Sequence, residues 1–192
     1  MKFAIILAFL ATTSCATSIA GPQPNFFANL AALCGKAFEG RIASPPAAAD
    51  SSFGGKRLVM HVRECSADTV RIPFHVGDDR SRTWVLTRTA AGYRLKHDHR
   101  HADGSEDNVT KYGGDTMAGG TAMRQEFPAD DFTKALLVRS GNTAGVGNVW
   151  AVEIHPDRVF AYELRHPGRW FRVEFDLTRP VAPPLAPWGS MQ

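Results

Sequence analysis

The sequence lacks a strong charge of one sign, and it lacks any apolar run long enough to cross a bilayer. Its 22 Lys and Arg residues against 19 Asp and Glu residues give a formal net charge of +3. That balance is too mild to predict nucleic acid or an anionic membrane as a partner. The apolar run at residues 3–11 has about half the length that a transmembrane helix needs. No transmembrane span is therefore predicted.

That apolar run fits the central part of a secretory signal peptide. Lys2 precedes it, and the small-residue stretch that follows ends at Ser18-Ile19-Ala20. This layout predicts a signal peptide over residues 1–20 with cleavage after Ala20. Removing 20 of the 192 residues leaves 172 with a net charge of +2, enough for one domain with its own core. We therefore expect a secreted or periplasmic protein.

A lipid anchor at Cys15 is the alternative fate of the same segment. Cys15 follows Thr12-Thr13-Ser14. The position three residues before a lipidated cysteine is usually leucine, and here it is threonine. Free secretion is therefore favoured over the anchor.

Cysteine is scarce, with three residues in the chain. Cleavage of the signal peptide removes Cys15 and leaves Cys34 and Cys65. An even pair in an exported chain predicts a disulfide bond. The alternative is two reduced, buried thiols, which an oxidising compartment disfavours.

The chain also lacks the local motifs of two large enzyme classes. It has no G-x-S-x-G sequence, so no serine nucleophile on a strained turn is indicated. The glycine pairs at residues 113–114 and 119–120 do not continue into a phosphate-binding P-loop. Enzyme activity is therefore left open, because no motif assigns it.

What the sequence does contain is a period-two pattern of apolar residues over most of its length. A short helix is predicted over residues 25–36, and a loop rich in proline, serine and glycine over residues 44–55. The strand pattern follows, with Pro73 predicting an edge or bulged strand. The segment 131–139 fits either a helix or a strand. About eight to ten short antiparallel strands predict a single meander β-barrel over residues 21–178, followed by a proline-rich tail at 179–192.

Several segments resemble known exported proteins. The short helix leading into Phe38-Glu39-Gly40-Arg41 and a strand meander resembles the opening of calycin barrels, the lipocalins and their bacterial relatives. The sequences DRSRTW, LKHDHRHADGSED and YGGDT resemble a family of uncharacterised exported bacterial proteins. The resemblance implies a lipocalin-like barrel and brings no assigned activity, so it supplies no catalytic residues.

Three histidines at alternate positions give the clearest candidate site. His97, His99 and His101 share one face of a strand with Tyr93 and Leu95, while the opposite face is uniformly charged. The histidines are therefore predicted to face the barrel interior.

A two-residue turn after Thr89 would pair this strand with the preceding one. Trp84 then lies opposite His97, and Arg82 lies opposite His99, both facing inward. A bulge at Gly92 would instead bring in Thr87, Val85 and Thr83. We prefer the first register because it separates apolar from polar residues better.

Three functions fit this pattern. The first is a barrel that binds a small, partly apolar and anionic ligand through Arg82, Trp84, Tyr93, His97, His99 and His101. The second is a hydrolytic or oxidative enzyme with zinc or iron bound by His97 and His99, which needs a third ligand; His61, His75, Glu106 and Asp107 are available in type. The third is a structural or interaction protein of the cell envelope that uses an exposed Trp188 in the tail.

Overall fold

The computed structural model describes residues 24–117 and 120–190 of the chain. The predicted signal peptide and the alternative anchor site at Cys15 lie outside the described residues. Within them, the helices are α1 (Pro24–Ala31) and α2 (Asp131–Arg139), with short 3-10 helices at Ala48–Asp50 and Thr143–Gly147. The strands are β1 (Ala37–Ile42), β2 (Leu58–His61), β3 (Glu64–Cys65), β4 (Thr69–Val76), β5 (Asp79–Thr89), β6 (Gly92–His99), β7 (Tyr112–Asp115), β8 (Arg124–Pro128), β9 (Val149–His155), β10 (Val159–His166) and β11 (Arg169–Val181).

The strands form one antiparallel, nearly closed barrel. Their order is β7-β6-β5-β4-β2-β1-β11-β10-β9-β8, and the two-residue β3 pairs with β4 beside this path. The pairing of β1 with β11 joins the first strand to the last. The predicted mainly β meander barrel is confirmed.

The barrel core comes from the alternation that the sequence displays. On β9, β10 and β11 the apolar positions face inward and are buried: Trp150, Val152, Ile154, Phe160, Tyr162, Phe171, Val173, Phe175 and Leu177. The outward positions pair across strands as expected, for example Glu153 of β9 with Arg172 of β11 at 3.2 Å and with Arg124 of β8 at 2.9 Å. Helix α1 covers one end of the barrel with Phe26, Phe27 and Leu30, each at most 2% exposed.

The barrel closes where the edges of β7 and β8 meet, and two glycines of β7 allow its close approach to β8 on one side and to β6 on the other. A Cβ atom on Gly114 would lie 1.7 Å from the carbonyl oxygen of Pro128, and one on Gly113 would lie 1.9 Å from that of Leu95. The Asp130 amide donates to the Gly113 carbonyl at 3.0 Å. The glycine pair therefore serves close backbone packing.

Helix α2 resolves the segment that the sequence left between helix and strand. The Asp130 side chain caps the helix by accepting from the Thr133 amide at 2.9 Å. Thr133, Leu136 and Leu137 are buried on one face. The capping carboxylate and the helical spacing of these buried residues favour the helix.

Strand β4 lies inside the sheet, between β2 and β5, so the edge alternative for Pro73 is wrong. The register with β5 shifts between Phe74 and Val76, which is the irregularity that the bulge alternative expects.

The Cys34–Cys65 disulfide is present, as predicted. Cys34 follows α1 and Cys65 lies in β3, so the bond fastens the end-closing helix to the barrel wall.

The C-terminal segment is more ordered than the sequence predicts. Strand β11 runs to Val181, which pairs with Ala37, so the strand includes the first residues assigned to the tail. Further on, the Trp188 amide donates to the Arg80 carbonyl at 3.1 Å, and the Arg80 side chain donates to the Ala186 carbonyl at 2.9 Å. Trp188 is half-buried, so the expectation of an exposed tryptophan is wrong.

Candidate functional site

The β5–β6 hairpin has the register that we preferred. Thr89 pairs with Gly92 across the two-residue turn, Trp84 pairs with His97, and Arg82 pairs with His99. The bulge alternative at Gly92 is therefore wrong.

A cavity of about 340 Å³ occupies the end of the barrel opposite α1. Strands β4, β5, β6, β7, β9, β10 and β11 contribute to its wall, together with the loops after β1 and β6 and the segment from α2 to β9. Its lining residues are Phe53, Phe74, Arg82, Trp84, His97, His99, Asp107, Val109, Tyr112, Leu137, Asn142, Asn148, Trp150, Tyr162, Leu164, Arg169 and Phe171. Four of the six predicted ligand-binding residues are in this set: Arg82, Trp84, His97 and His99.

Tyr93 faces inward but does not line the cavity. It lies at the closed end, where its ring centroid is 5.2 Å from that of Phe26 and 6.1 Å from that of Phe27. The β5–β6 hairpin spans the full height of the barrel, so Tyr93 and His99 lie near opposite ends. Tyr93 is a core residue rather than a cavity wall.

His101 also lies outside the cavity. Strand β6 ends at His99, and the chain then turns, with the His101 amide donating to the Ser105 carbonyl at 2.9 Å. Asp103 caps this turn by accepting from the Ser105 amide at 2.9 Å. The turn places His101 in the exposed loop, so the predicted inward position is wrong.

His97 is fixed by two hydrogen bonds. Its Nδ1 lies 3.1 Å from the Tyr112 carbonyl oxygen, and its Nε2 lies 2.7 Å from the Tyr162 hydroxyl. Burial, with the neighbouring His99, lowers the pKa of His97 to about 3. The imidazole is therefore neutral at pH 7, and both of its nitrogens already have partners.

His99 makes the second histidine–tyrosine pair of the cavity. Its Nε2 lies 3.0 Å from the Tyr112 hydroxyl. Burial and then the nearby Arg82 lower the pKa of His99 to about 4, although Asp107 opposes this shift. His99 is therefore also neutral at pH 7, and Arg82 is left as a fixed positive charge beside it.

The structure adds a second arginine that the sequence did not single out. Arg169, the first residue of β11, lines the cavity and donates to the Asp50 carboxylate at 2.5 Å. Its Nε is buried and has no hydrogen-bond partner among the described residues. In the sequence, Arg169 follows a Pro-Gly turn, and this position predicts only a surface residue. The loop that carries Asp50 reaches Arg169 through tertiary packing, which the sequence does not show.

Both arginines are ion-paired by carboxylates from outside the cavity. Arg82 donates to Asp79 at 2.5 Å, and neither Asp79 nor Asp50 lines the cavity. Burial raises the pKa of Tyr112 to about 12 and that of Tyr162 well above its ordinary value, while both arginines oppose the shift. Both arginines line the same cavity as these two tyrosines.

The predicted metal pair does not form a metal centre with the residues around it. His97 uses both ring nitrogens in hydrogen bonds, so neither has a lone pair free for an ion. Across the described ranges, no group of three or more His, Cys, Asp or Glu side chains is arranged to hold a metal ion. The donor set at His97 and His99 does not fit zinc or iron in this conformation.

The fold and the site together define an antiparallel barrel with an aromatic, arginine-containing cavity at one end. Comparisons with protein-family models, with curated proteins and with solved structures gave no match to this chain. In the part of the chain that the structure describes, no helix combines the length and apolar composition needed to cross a membrane.

Proposed function

We propose that this protein is an exported barrel that binds one small, partly apolar and anionic ligand in the cavity. The observation that carries the proposal is a cavity of about 340 Å³ with aromatic walls and two arginines, Arg82 and Arg169. This volume lies near the lower end of the roughly 300–1,000 Å³ range of small-molecule sites.

The walls suit a flat, apolar group. Trp84 and Trp150 line the cavity, and Trp84 stacks on Tyr162 with ring centroids 4.3 Å apart. Phe53 and Phe171 also line it and pack together at 4.9 Å. Aromatic side chains bind ring-shaped ligands through large, rigid contact areas.

The arginines suit an anionic group. Each guanidinium has five N–H donors, and the pairs with Asp79 and Asp50 leave several of them unused. A carboxylate or another oxyanion can accept these donors in short, charge-assisted hydrogen bonds. Among the described residues that line the cavity, Asp107 is the one carboxylate, so the two arginines outnumber it there.

Export to a secreted or periplasmic location is part of the proposal. The disulfide between Cys34 and Cys65 favours an oxidising compartment. The predicted signal peptide gives the route to it.

Isothermal titration calorimetry with phenylacetate and its neutral amide, phenylacetamide, tests the proposal. We expect one phenylacetate per chain, bound about tenfold more tightly than the amide because only the acid is charged. Arg82→Met should reduce this preference, because only Arg169 then remains to bind the anionic group. Arg41→Met is the matched control, because Arg41 is exposed and pairs with Glu174 outside the cavity.

Two results would overturn the proposal. One is that neither probe binds to the folded protein. The other is that phenylacetate binds equally well to the wild type and to Arg82→Met.

A further inference from the structure

The hydrogen-bond network around His97 defines which group of the cavity accepts and which donates. The Tyr112 carbonyl can only accept, so the proton of the neutral His97 ring lies on Nδ1, 3.1 Å away. Because Nδ1 carries the proton, Nε2 carries the lone pair. The Tyr162 hydroxyl, 2.7 Å from Nε2, is therefore the donor in that bond.

Tyr162 consequently has no proton left for a ligand. Its hydroxyl stays protonated at neutral pH because burial raises its pKa well above the ordinary value. The single O–H proton is held by His97, and the lone pairs of the oxygen remain. Toward the cavity, Tyr162 therefore acts as a hydrogen-bond acceptor only.

Four side chains of the cavity, Arg82, Arg169, Tyr162 and Asp107, thus divide into donors and acceptors. Arg82 and Arg169 offer only donors. Tyr162 offers only lone pairs, and the Asp107 side-chain oxygens are likewise acceptors. The Asp107 side chain already accepts from the Val109 amide at 2.7 Å. A ligand that carries an anionic group alone would satisfy the arginines and leave the remaining lone pairs of the Tyr162 oxygen without a donor. Leaving a desolvated acceptor unpaired costs roughly 1–3 kcal/mol.

We propose that the ligand is a small aromatic or alicyclic acid that also carries a hydrogen-bond donor, a hydroxyl or an amino group, on its ring. The acid group binds Arg82 and Arg169, and the ring donor binds the Tyr162 oxygen. This inference rests on the proposed function and names its ligand class. It makes Tyr162 and His97 the residues that select for the donor, with His97 acting through the orientation of the Tyr162 proton.

Matched probes separate this inference from the proposed function. We would compare 4-hydroxyphenylacetate with 4-fluorophenylacetate, and the 3-hydroxy acid with the 3-fluoro acid, by titration calorimetry at pH 7. Fluorine is close to a hydroxyl in size and cannot donate. In at least one pair, we expect the hydroxy acid to bind about tenfold more tightly or better.

The variant Tyr162→Phe tests the assigned acceptor. It keeps the ring that packs on Trp84 and removes only the oxygen. The hydroxy and fluoro acids should then bind equally. The wild-type comparison remains decisive if this variant does not fold, because it needs no substitution.

Each remaining outcome has a definite meaning. If the fluoro acids bind as tightly as the hydroxy acids at both ring positions, this inference is overturned while the proposed function stands. If the hydroxy preference persists in Tyr162→Phe, the assignment to Tyr162 is overturned. If none of the acids binds, both proposals are overturned.

Discussion

The buried, neutral His97 should make the stability of this protein fall as the pH falls. Burial lowers the pKa of His97 in the folded state from its ordinary 6.5 to about 3. Below pH 6.5 the unfolded chain takes up a proton at this residue and the folded chain does not. The free energy of unfolding therefore decreases as the pH falls from 6.5 toward 3, and it is highest above 6.5.

The size of this effect follows from the two pKa values. Between pH 6.5 and about 4.5, proton linkage at His97 alone removes about 2 kcal/mol from the free energy of unfolding. His61, His75 and His99 also have lowered pKa values and add to the acid sensitivity of the whole protein. The contribution of His97 must therefore be isolated by a variant.

His97→Gln provides that variant, because glutamine does not titrate and can still accept from Tyr162. Urea unfolding, followed by tryptophan fluorescence with the disulfide intact, gives the free energy of unfolding at both pH values. The advantage of the wild type over His97→Gln should shrink by about 2 kcal/mol at the lower pH. An advantage that is the same at both pH values would refute the reasoning. His101→Gln is the control, because it makes the same substitution at an exposed histidine outside the cavity.

Three further predictions concern the disulfide, helix α1 and the contact between β7 and β8. Each is tested by measuring the free energy of unfolding in urea. Replacing Cys34 and Cys65 together with alanine should lower stability by about 3–4 kcal/mol on the chain-entropy model, and an unchanged midpoint would contradict the role given to the bond. Phe26→Ala should cost about 3–5 kcal/mol, because the ring is fully buried between α1 and the closed end. Gly114→Ala should destabilise strongly, because its Cβ would meet the Pro128 carbonyl; Gly54→Ala, with its nearest contact at 3.5 Å, is the tolerated control.

The sequence predicted the histidine strand well because two local rules determine it. Alternation placed His97 and His99 inside, and the two-residue turn set the register with Trp84 and Arg82. Alternation fails at His101, since it holds only while a strand continues. The capped turn at Asp103 to Ser105 ends the strand before that residue.

The sequence could not assign Arg169, Tyr112 and Tyr162 to the site. The alternation pattern predicts Tyr162 only as an inward-facing residue of β10. Its role depends on a hydrogen bond to His97, which is 65 residues away in the chain. Arg169 joins the cavity through Asp50, 119 residues away. Contacts of this range leave no periodic signal in the sequence.

By itself, the sequence determined the β-barrel class, the pairing of Cys34 with Cys65, and the inward face that carries Trp84, His97 and His99. These features follow from period-two alternation, turn length and cysteine count, which act locally or depend on composition. Only the tertiary structure decided where the barrel is closed by α1, where the cavity opens, and which groups around it donate or accept hydrogen bonds. The reason is that alternation specifies only the side of the sheet on which a residue lies. The position of a residue along the barrel axis, and the side chains that it meets there, depend on how distant strands pack.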